Sequence, residues 1–253
     1  MRVLVVLPTY NELANIDPVC RAILAAVPDV DILVVDDGSP DGTADAAEAL
    51  GKELGSIEVL RRDHKQGLGQ AYLAGFAHGL EQGYDALIEM DADLSHDPAT
   101  LPTLIAKLEG ADLVIGSRYI PGGSIPQWSL HRRLLSRAGN RYSSWMLGVP
   151  LHDMTSGFRA FQADLLRRLP LDDTHANGYG FQIEMAYRAV GAGARVAEIP
   201  IRFVERQEGA SKMSWRITVE AIGLVTVMGV KRQVRSLRAG RRRSAGTPAT
   251  AHR

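Results

Sequence analysis

The sequence predicts an α/β fold: a single domain with a mainly parallel sheet, helices on both faces, and a helix at its C-terminal end. Three observations carry this. Strand-length apolar runs alternate with helix-period segments through the first 116 residues. No two apolar runs are joined by a two-residue Asn-Gly or Asp-Gly connection, which argues against antiparallel hairpins. Polar segments recur where one strand after another ends, the edge at which open α/β sheets bind ligands.

The elements follow in order. Arg2–Leu7 is a short apolar strand stopped at Pro8. Residues 12–27 carry helical spacing through Leu13, Ile16, Val19, Ile23, Leu24 and Val27. Asp31–Val35 is a second strand, closed by Asp36-Asp37-Gly38-Ser39-Pro40. Residues 43–54 are Ala-rich and helical, 57–60 a third strand, 67–80 a helix, and 86–90 a fourth strand. Pro98 suits the first turn of a helix that runs to Leu108, and 113–116 is another strand. Beyond residue 117 the alternation loosens. Residues 120–126 are Gly- and Pro-containing and read as a loop, Ser129–Leu147 as a helix, 153–161 as extended chain, and 181–190 as a helix. Residues 194–204 form one or two strands around Pro200, and Trp215–Val230 is the last helix. These bounds divide the chain into a domain over 1–213, an amphipathic interfacial helix over 214–232, and a basic, disordered tail over 233–253.

Net charge is zero, but unevenly distributed. Residues 1–220 carry 21 basic and 29 acidic side chains; beyond Glu220 there are eight basic ones and no acid. Such a tail attracts an anionic surface. It has no interleaved aromatics, which disfavours nucleic acid as the partner. Cys20 is the only cysteine, so no internal disulfide can form. The first apolar stretch is too short for a signal peptide, and no window has the ~18–20 apolar residues of a membrane span.

The most specific chemistry lies at Asp91-Ala92-Asp93, where an apolar strand runs into two carboxylates. In an extended segment, residues two apart point to one side. Two oxygen ligands there suit a hard divalent cation, Mg²⁺ in particular, which is bound by one or two carboxylates plus substrate phosphates. Residues 8–12, 36–39 and 116–118 fall at neighbouring strand ends and add an aromatic ring, further carboxylates, hydroxyls and an Arg. That inventory fits a base, a ribose diol and a diphosphate held through a metal.

Strand-Pro8-Thr9-Tyr10-Asn11-Glu12, strand-Val35-Asp36-Asp37-Gly38-Ser39 and strand-Asp91-Ala92-Asp93 resemble the family 2 inverting glycosyltransferases of the GT-A fold. Gly116-Ser117-Arg118-Tyr119, Trp128-Ser129-x-x-Arg132-x-x-x-Ser136, the segment from Asp153 to Arg159, Gly180-Phe181-Gln182-Ile183-Glu184 and Glu205-Arg206-x-x-Gly209-x-Ser211-Lys212 narrow this. Over residues 3–216 the chain resembles the polyprenyl- and dolichyl-phosphate mannosyltransferases.

The resemblance implies inverting transfer of mannose from GDP-mannose to polyprenyl or dolichyl phosphate, giving a lipid-linked mannose donor. It implies a nucleotide-sugar site of Pro8, Tyr10, Glu12, Val35, Asp37, Met90, Asp91, Ala92, Asp93, Arg118, Arg206 and Lys212. Asp91 and Asp93 would hold Mg²⁺ or Mn²⁺, with Ser95 standing where a Gln is frequent. Arg118, Arg132 and Ser136 would face the acceptor phosphate, the last two one helical turn apart. Asp91, Asp93, Arg118 and Arg132 are thus the expected catalytic set. His96 reads as a loop residue, Glu184 as a partner for an Arg, and Asp36 as a cap of its own turn. Residues 120–126 and 206–213 read as lids, with ordinary surface loops as the alternative, chiefly for 120–126.

A phosphate acceptor, largely dianionic at neutral pH, needs no general base. Catalysis is then positioning plus charge stabilisation by Arg and Lys. The lipid substrate places the protein peripherally on the cytoplasmic face of a membrane, through residues 217–230 and the basic tail or through a membrane-protein partner. The alternatives are a polyprenyl-phosphate glucosyltransferase using UDP-glucose and a non-catalytic nucleotide-sugar-binding protein. No Gln-x-x-Arg-Trp motif of processive polymer synthases occurs.

Overall fold

A computed structural model describes residues 1–171, 174, 178–205 and 215–244, without the side chains of 215–219 and 235–244. The element order is β1 (Val3–Thr9), α1 (Leu13–Ala26), β2 (Asp31–Asp36), α2 (Thr43–Leu54), β3 (Ile57–Arg61), α3 (Leu68–Glu81) and β4 (Ala86–Glu89). A 3₁₀ turn (Pro98–Thr100), α4 (Leu101–Lys107), β5 (Leu113–Ser117), α5 (Leu130–Leu147), β6 (Arg159–Gln162) and α6 (Ala163–Arg168) follow. The chain ends with α7 (Tyr179–Gly191), β7 (Val196–Pro200) and α8 (Trp215–Ser244).

The seven strands form one sheet in the order β3-β2-β1-β4-β6-β5-β7. Pairings β1–β2, β1–β4, β2–β3 and β5–β7 are parallel. The expectation of a mainly parallel sheet therefore holds, with one exception. β6 lies antiparallel to both neighbours, Arg159 opposite Glu89 on β4 and opposite Ile115 on β5. The exception positions the site. The carboxyl ends of β1, β2, β4, β5 and β7 share one edge, and the reversed β6 brings the residues that precede it, 153–158, to that same edge.

One apolar layer packs under α3 and α7 and includes Val6, Val35, Tyr72, Phe76, Phe161 and Phe181. The other packs under α1 and α4 and includes Val5, Ile16, Ile23, Ile88, Leu104 and Phe158. This division follows from the alternation of buried strands, whose successive side chains face opposite helices. Helix α3 approaches the sheet closely because it carries Gly75, where a Cβ would overlap Val6 Cγ1. Gly75→Ala is expected to cost about 1–3 kcal/mol by overpacking, read as a lower denaturation midpoint with an unchanged m-value.

Two expectations are corrected. Residues 120–126 are no free lid. Ser124 N–H donates to Ile201 O at 3.0 Å, and Phe203 N–H donates back to Ser124 O at 2.9 Å. A Cβ at Gly123 would come within 2.7 Å of Ser117 O, so the segment is packed tightly against β5. The last helix also continues past the expected end, and residues 233–244 are helical. Gln, Leu, Ala and Arg favour helix, and cations near a helix C-terminus are stabilised by its dipole. The second expected lid, 206–213, lies outside the described residues, as do Arg206 and Lys212.

Candidate active site

A cavity of ≈ 420 Å³ opens along the shared strand edge. Its wall includes Pro8, Tyr10, Glu12 and Asp37 from the ends of β1 and β2 and the residues just beyond them, Asp91, Ala92 and Asp93 from the segment after β4, and Arg118 directly after β5. Arg132 of α5 lines it too. The structure thus brings together most of the predicted site. Val35 and Met90 are not on the wall: both are fully buried, Val35 facing α3 and Met90 packing with the α1 and α4 layer. Ser95 and Ser136 are also set back from it.

At the β1–β2 end, Asp36 caps its turn as expected. Its carboxylate accepts from Thr9 Oγ1 at 2.9 Å and from the Ser39 N–H at 2.8 Å. Ser39 Oγ in turn accepts from the Asn11 N–H at 3.0 Å, which locks the two strand-end loops together. Asp37 is held by the Arg62 guanidinium and by the Gln66 N–H. Lys65 Nζ lies 4.0 Å from the centre of the Tyr10 ring, a cation on an aromatic face. Ring, carboxylates and cation here suit a nucleoside diphosphate.

The carboxylate pair is presented by a turn rather than by extended chain. Strand β4 ends at Glu89, residues 92–93 turn, and Leu94 has φ 60°. A left-handed conformation costs a branched residue about 1–2 kcal/mol, strain of the kind that collects at functional sites. Asp91 Oδ1 accepts from Tyr72 Oη at 3.2 Å and Asp93 Oδ1 from the Ser95 N–H at 3.0 Å. The Ser95 hydroxyl is buried with no hydrogen-bond partner among the described residues. Two carboxylates with a neighbouring orphaned hydroxyl make an all-oxygen donor set, which fits Mg²⁺ or Mn²⁺. Among the described residues no cluster of three His, Cys, Asp or Glu could hold a metal, so the remaining ligands would be substrate or water oxygens.

His96 lies in a loop, as expected, and lines the cavity. Its ring is buried, stacks on Phe158 at 4.9 Å, and its Nδ1 accepts the Asp91 N–H at 3.2 Å. Burial lowers its pKa, which keeps the ring neutral and Nδ1 an acceptor.

Arg118 and Asp153 form a buried bidentate pair, Nε to Oδ2 and Nη2 to Oδ1, both at 2.7 Å. Nη2 also donates to Thr155 Oγ1 at 2.7 Å. The guanidinium lines the cavity and lies 5.5 Å from the centres of the Tyr119 and Phe203 rings. Burial works against both charges, but their mutual attraction outweighs it: the Arg118 pKa is raised and the Asp153 pKa lowered. Arg132 donates to Glu205 Oε1 at 2.7 Å and lies 4.0 Å from the centre of the Trp128 ring. One turn on, Ser136 accepts from Tyr119 Oη at 2.6 Å. Below the site, buried Arg159 donates to the carbonyls of Met154, Ser156 and Gln182. Its neighbour Glu89 is fully buried, and burial raises its pKa to about 7. Glu184 pairs with Arg188, as expected.

Lys65, Trp128, Thr155, Tyr179, Gln182, Phe203 and Glu205 also line the cavity and were not singled out individually from the sequence. Trp128 and Glu205 stand inside recognised motifs, which is the signal that marks them; Lys65 and Phe203 carry none.

The sequence model described as "Glycosyl transferase family 2" matches residues 4–169. The chain is 50% identical over 239 residues to the undecaprenyl-phosphate mannosyltransferase of Micrococcus luteus, covering 94% of this chain and 98% of that one. It is 46% identical over 232 residues to the polyprenol monophosphomannose synthase of Mycolicibacterium smegmatis, covering 91% and 88%. Among solved structures it is similar to glucosyl-3-phosphoglycerate synthase of Mycobacterium tuberculosis with Mn²⁺ and UDP-glucose. That match has TM-score 0.64 and 25% identity, over 90% of this chain and 78% of that one. The same enzyme with Mg²⁺ and UDP matches at TM-score 0.66 and 24% identity, over 90% and 79%.

Proposed function

The chain belongs to glycosyl transferase family 2, and from that premise we propose that it transfers mannose from GDP-mannose to a polyprenyl phosphate with inversion. The observation that carries the reading is one cavity whose wall combines Asp91 and Asp93 with the nucleotide-suited Tyr10, Glu12 and Asp37 and with two arginines, Arg118 and Arg132. Two relatives at 46–50% identity, named for mannosyl transfer to polyprenyl carriers, supply the sugar and the acceptor.

In this reading an oxygen of the acceptor phosphate attacks the anomeric carbon of mannose. The bond from that carbon to the GDP β-phosphate oxygen breaks on the opposite face. Arg118 and Arg132 hold the acceptor, and a phosphate largely dianionic at neutral pH needs no base. Bound at Asp91 and Asp93, a Mg²⁺ or Mn²⁺ ion would neutralise charge on the departing diphosphate. The His96 contact fixes the backbone that presents Asp91. The Asp153 clamp fixes Arg118, so little reorganisation accompanies the reaction. Arg206 and Lys212 are proposed as further phosphate ligands on the nucleotide side. We place the protein peripherally on the cytoplasmic face of a membrane; no helix among the described residues is long and apolar enough to cross one.

The test is incubation with GDP-mannose or UDP-glucose, polyprenyl phosphate and a divalent cation, followed by organic extraction. Mannolipid from GDP-mannose is the expected product. Glucolipid from UDP-glucose would replace the donor assignment, and no lipid product from either would overturn the reading.

A further inference from the structure

Gln182 carries a buried amide that the fold leaves unused. It lies in the first turns of α7, 2% exposed, between the buried Phe181 and Ile183. Its main-chain carbonyl accepts from Arg159 Nη1 at 2.7 Å, which fixes the backbone. Yet neither Nε2 nor Oε1 has a hydrogen-bond partner among the described residues, although the residue lines the cavity. An amide presents two donors and an accepting oxygen, and leaving them unpaired in the interior is costly. Native proteins satisfy such groups with a ligand or a water where the chain itself does not. Gly157 stands beside it on the same wall. A Cβ on Gly157 would lie 3.6 Å from Gln182 Nε2, 3.9 Å from Asp91 Oδ1 and 3.9 Å from His96 Cε1. The absent side chain leaves a niche where an amide, a carboxylate and an imidazole edge converge.

We propose that this niche receives the transferred hexose and that Gln182 reads one of its hydroxyls, which makes Gln182 a determinant of donor-sugar specificity. The inference rests on the nucleotide-sugar reading of the cavity. In a nucleotide sugar one oxygen joins the anomeric carbon to the β-phosphorus. A diphosphate held at Asp91 and Asp93 therefore sets the sugar ring beside Asp91, where Gly157 and Gln182 border the same space. A hydroxyl donates and accepts at once, as the amide does. Gly157 lets the ring approach as closely as backbone allows. The Glu89 carboxylate lies near enough to feel the amide, but no direct hydrogen bond forms between them. A water shared by Glu89 and Gln182 is the competing partner, and it would leave the sugar unread. Selectivity follows from the bonding: a donor lacking the matching hydroxyl strands a buried amide and is rejected.

The test is a cycle, on the full chain, between Gln182→Met and GDP-mannose analogues that each lack one sugar hydroxyl. Methionine keeps the length of the side chain and removes both polar atoms. In Gln182→Met, kcat/KM for GDP-mannose should fall about ten- to a hundredfold, with affinity for GDP and the thermal midpoint near those of wild type. One deoxy donor should cost wild type a similar factor and cost the variant nothing further. Gly157→Ala, whose Cβ would meet only ordinary van der Waals contacts, should stay folded and bind GDP as wild type does, yet lose about tenfold or more in affinity for GDP-mannose. Unchanged kcat/KM in Gln182→Met overturns the proposal and gives the amide to the water shared with Glu89. So does an equal loss for every donor, deoxy or not, which marks a structural role. Should Gln182→Met fail to fold, Gln182→Glu, equal in size but without the N–H donors, enters the same cycle. Wild type that uses UDP-glucose alone, or neither donor, removes the mannosyltransferase reading. The cycle is then run on the affinity of the nucleotide sugar that binds, where non-additivity retains the niche and additivity removes it.

Discussion

Asp93→Ala is expected to reduce mannosyl transfer by about three orders of magnitude or more while the protein stays folded. Asp93 is nearly buried on the cavity wall, where its carboxylate accepts from the Ser95 N–H. Losing that bond costs about 1 kcal/mol, or roughly 2–4 °C in Tm for a chain of this size. Activity and stability therefore separate. The leaving diphosphate loses its charge partner, whereas the sheet loses nothing. Transfer rates with extracted mannolipid as readout, set beside a thermal melt, check both halves. Turnover near that of wild type would remove Asp93 from the cation site.

Asp153→Ala is expected to have the opposite profile, a loss of stability as large as the loss of activity. Removing one partner of a buried, bidentate pair leaves Arg118 charged in the interior, at a cost of about 3–5 kcal/mol. The double change Arg118→Ala/Asp153→Ala should be more stable than Asp153→Ala alone, since no orphaned charge remains. Transfer should be lost in both. The pH dependence follows from the sign of the shift. The Asp153 pKa is lowered in the folded state by Arg118. Its contribution is therefore complete above the ordinary carboxylate range and disappears as pH falls through the depressed folded value. Wild type should lose stability on that acid limb, and Asp153→Asn should show a flatter one. Denaturant midpoints across the acid range test this.

The part of the site legible in the sequence is the part made of strand ends. Pro8 to Glu12, Asp37, Asp91 to Asp93 and Arg118 each follow an apolar run, and parallel strands bring such ends to one edge wherever the helices between them lie. Contributions that depend on packing were not legible. Alternation within β2 points Val35 into the core, and Met90 likewise packs beneath the site. The turn at Leu94, not strand alternation, sets Asp91 and Asp93 on one wall. His96 looks like loop in sequence because nothing local announces that Phe158 will stack on it. Strand β6 spans only Arg159–Gln162, too short for its period to declare direction. Lys65 and Phe203 arrive from segments with no motif, by chain reversal alone.

That reversed strand has a consequence for how the molecule comes into being. β4 and β5 never touch as neighbours; β6 is the rung between them. Until residues 159–162 are synthesised, β3-β2-β1-β4 has no hydrogen-bonded continuation to β5. Long-range pairings close late and set the pace of folding. The nucleotide-suited half can thus consolidate on the ribosome first, as a platform. Arg118 receives its Asp153 clamp and Arg132 its Glu205 partner only as the second half emerges, so donor and acceptor sides are joined as the last act of assembly.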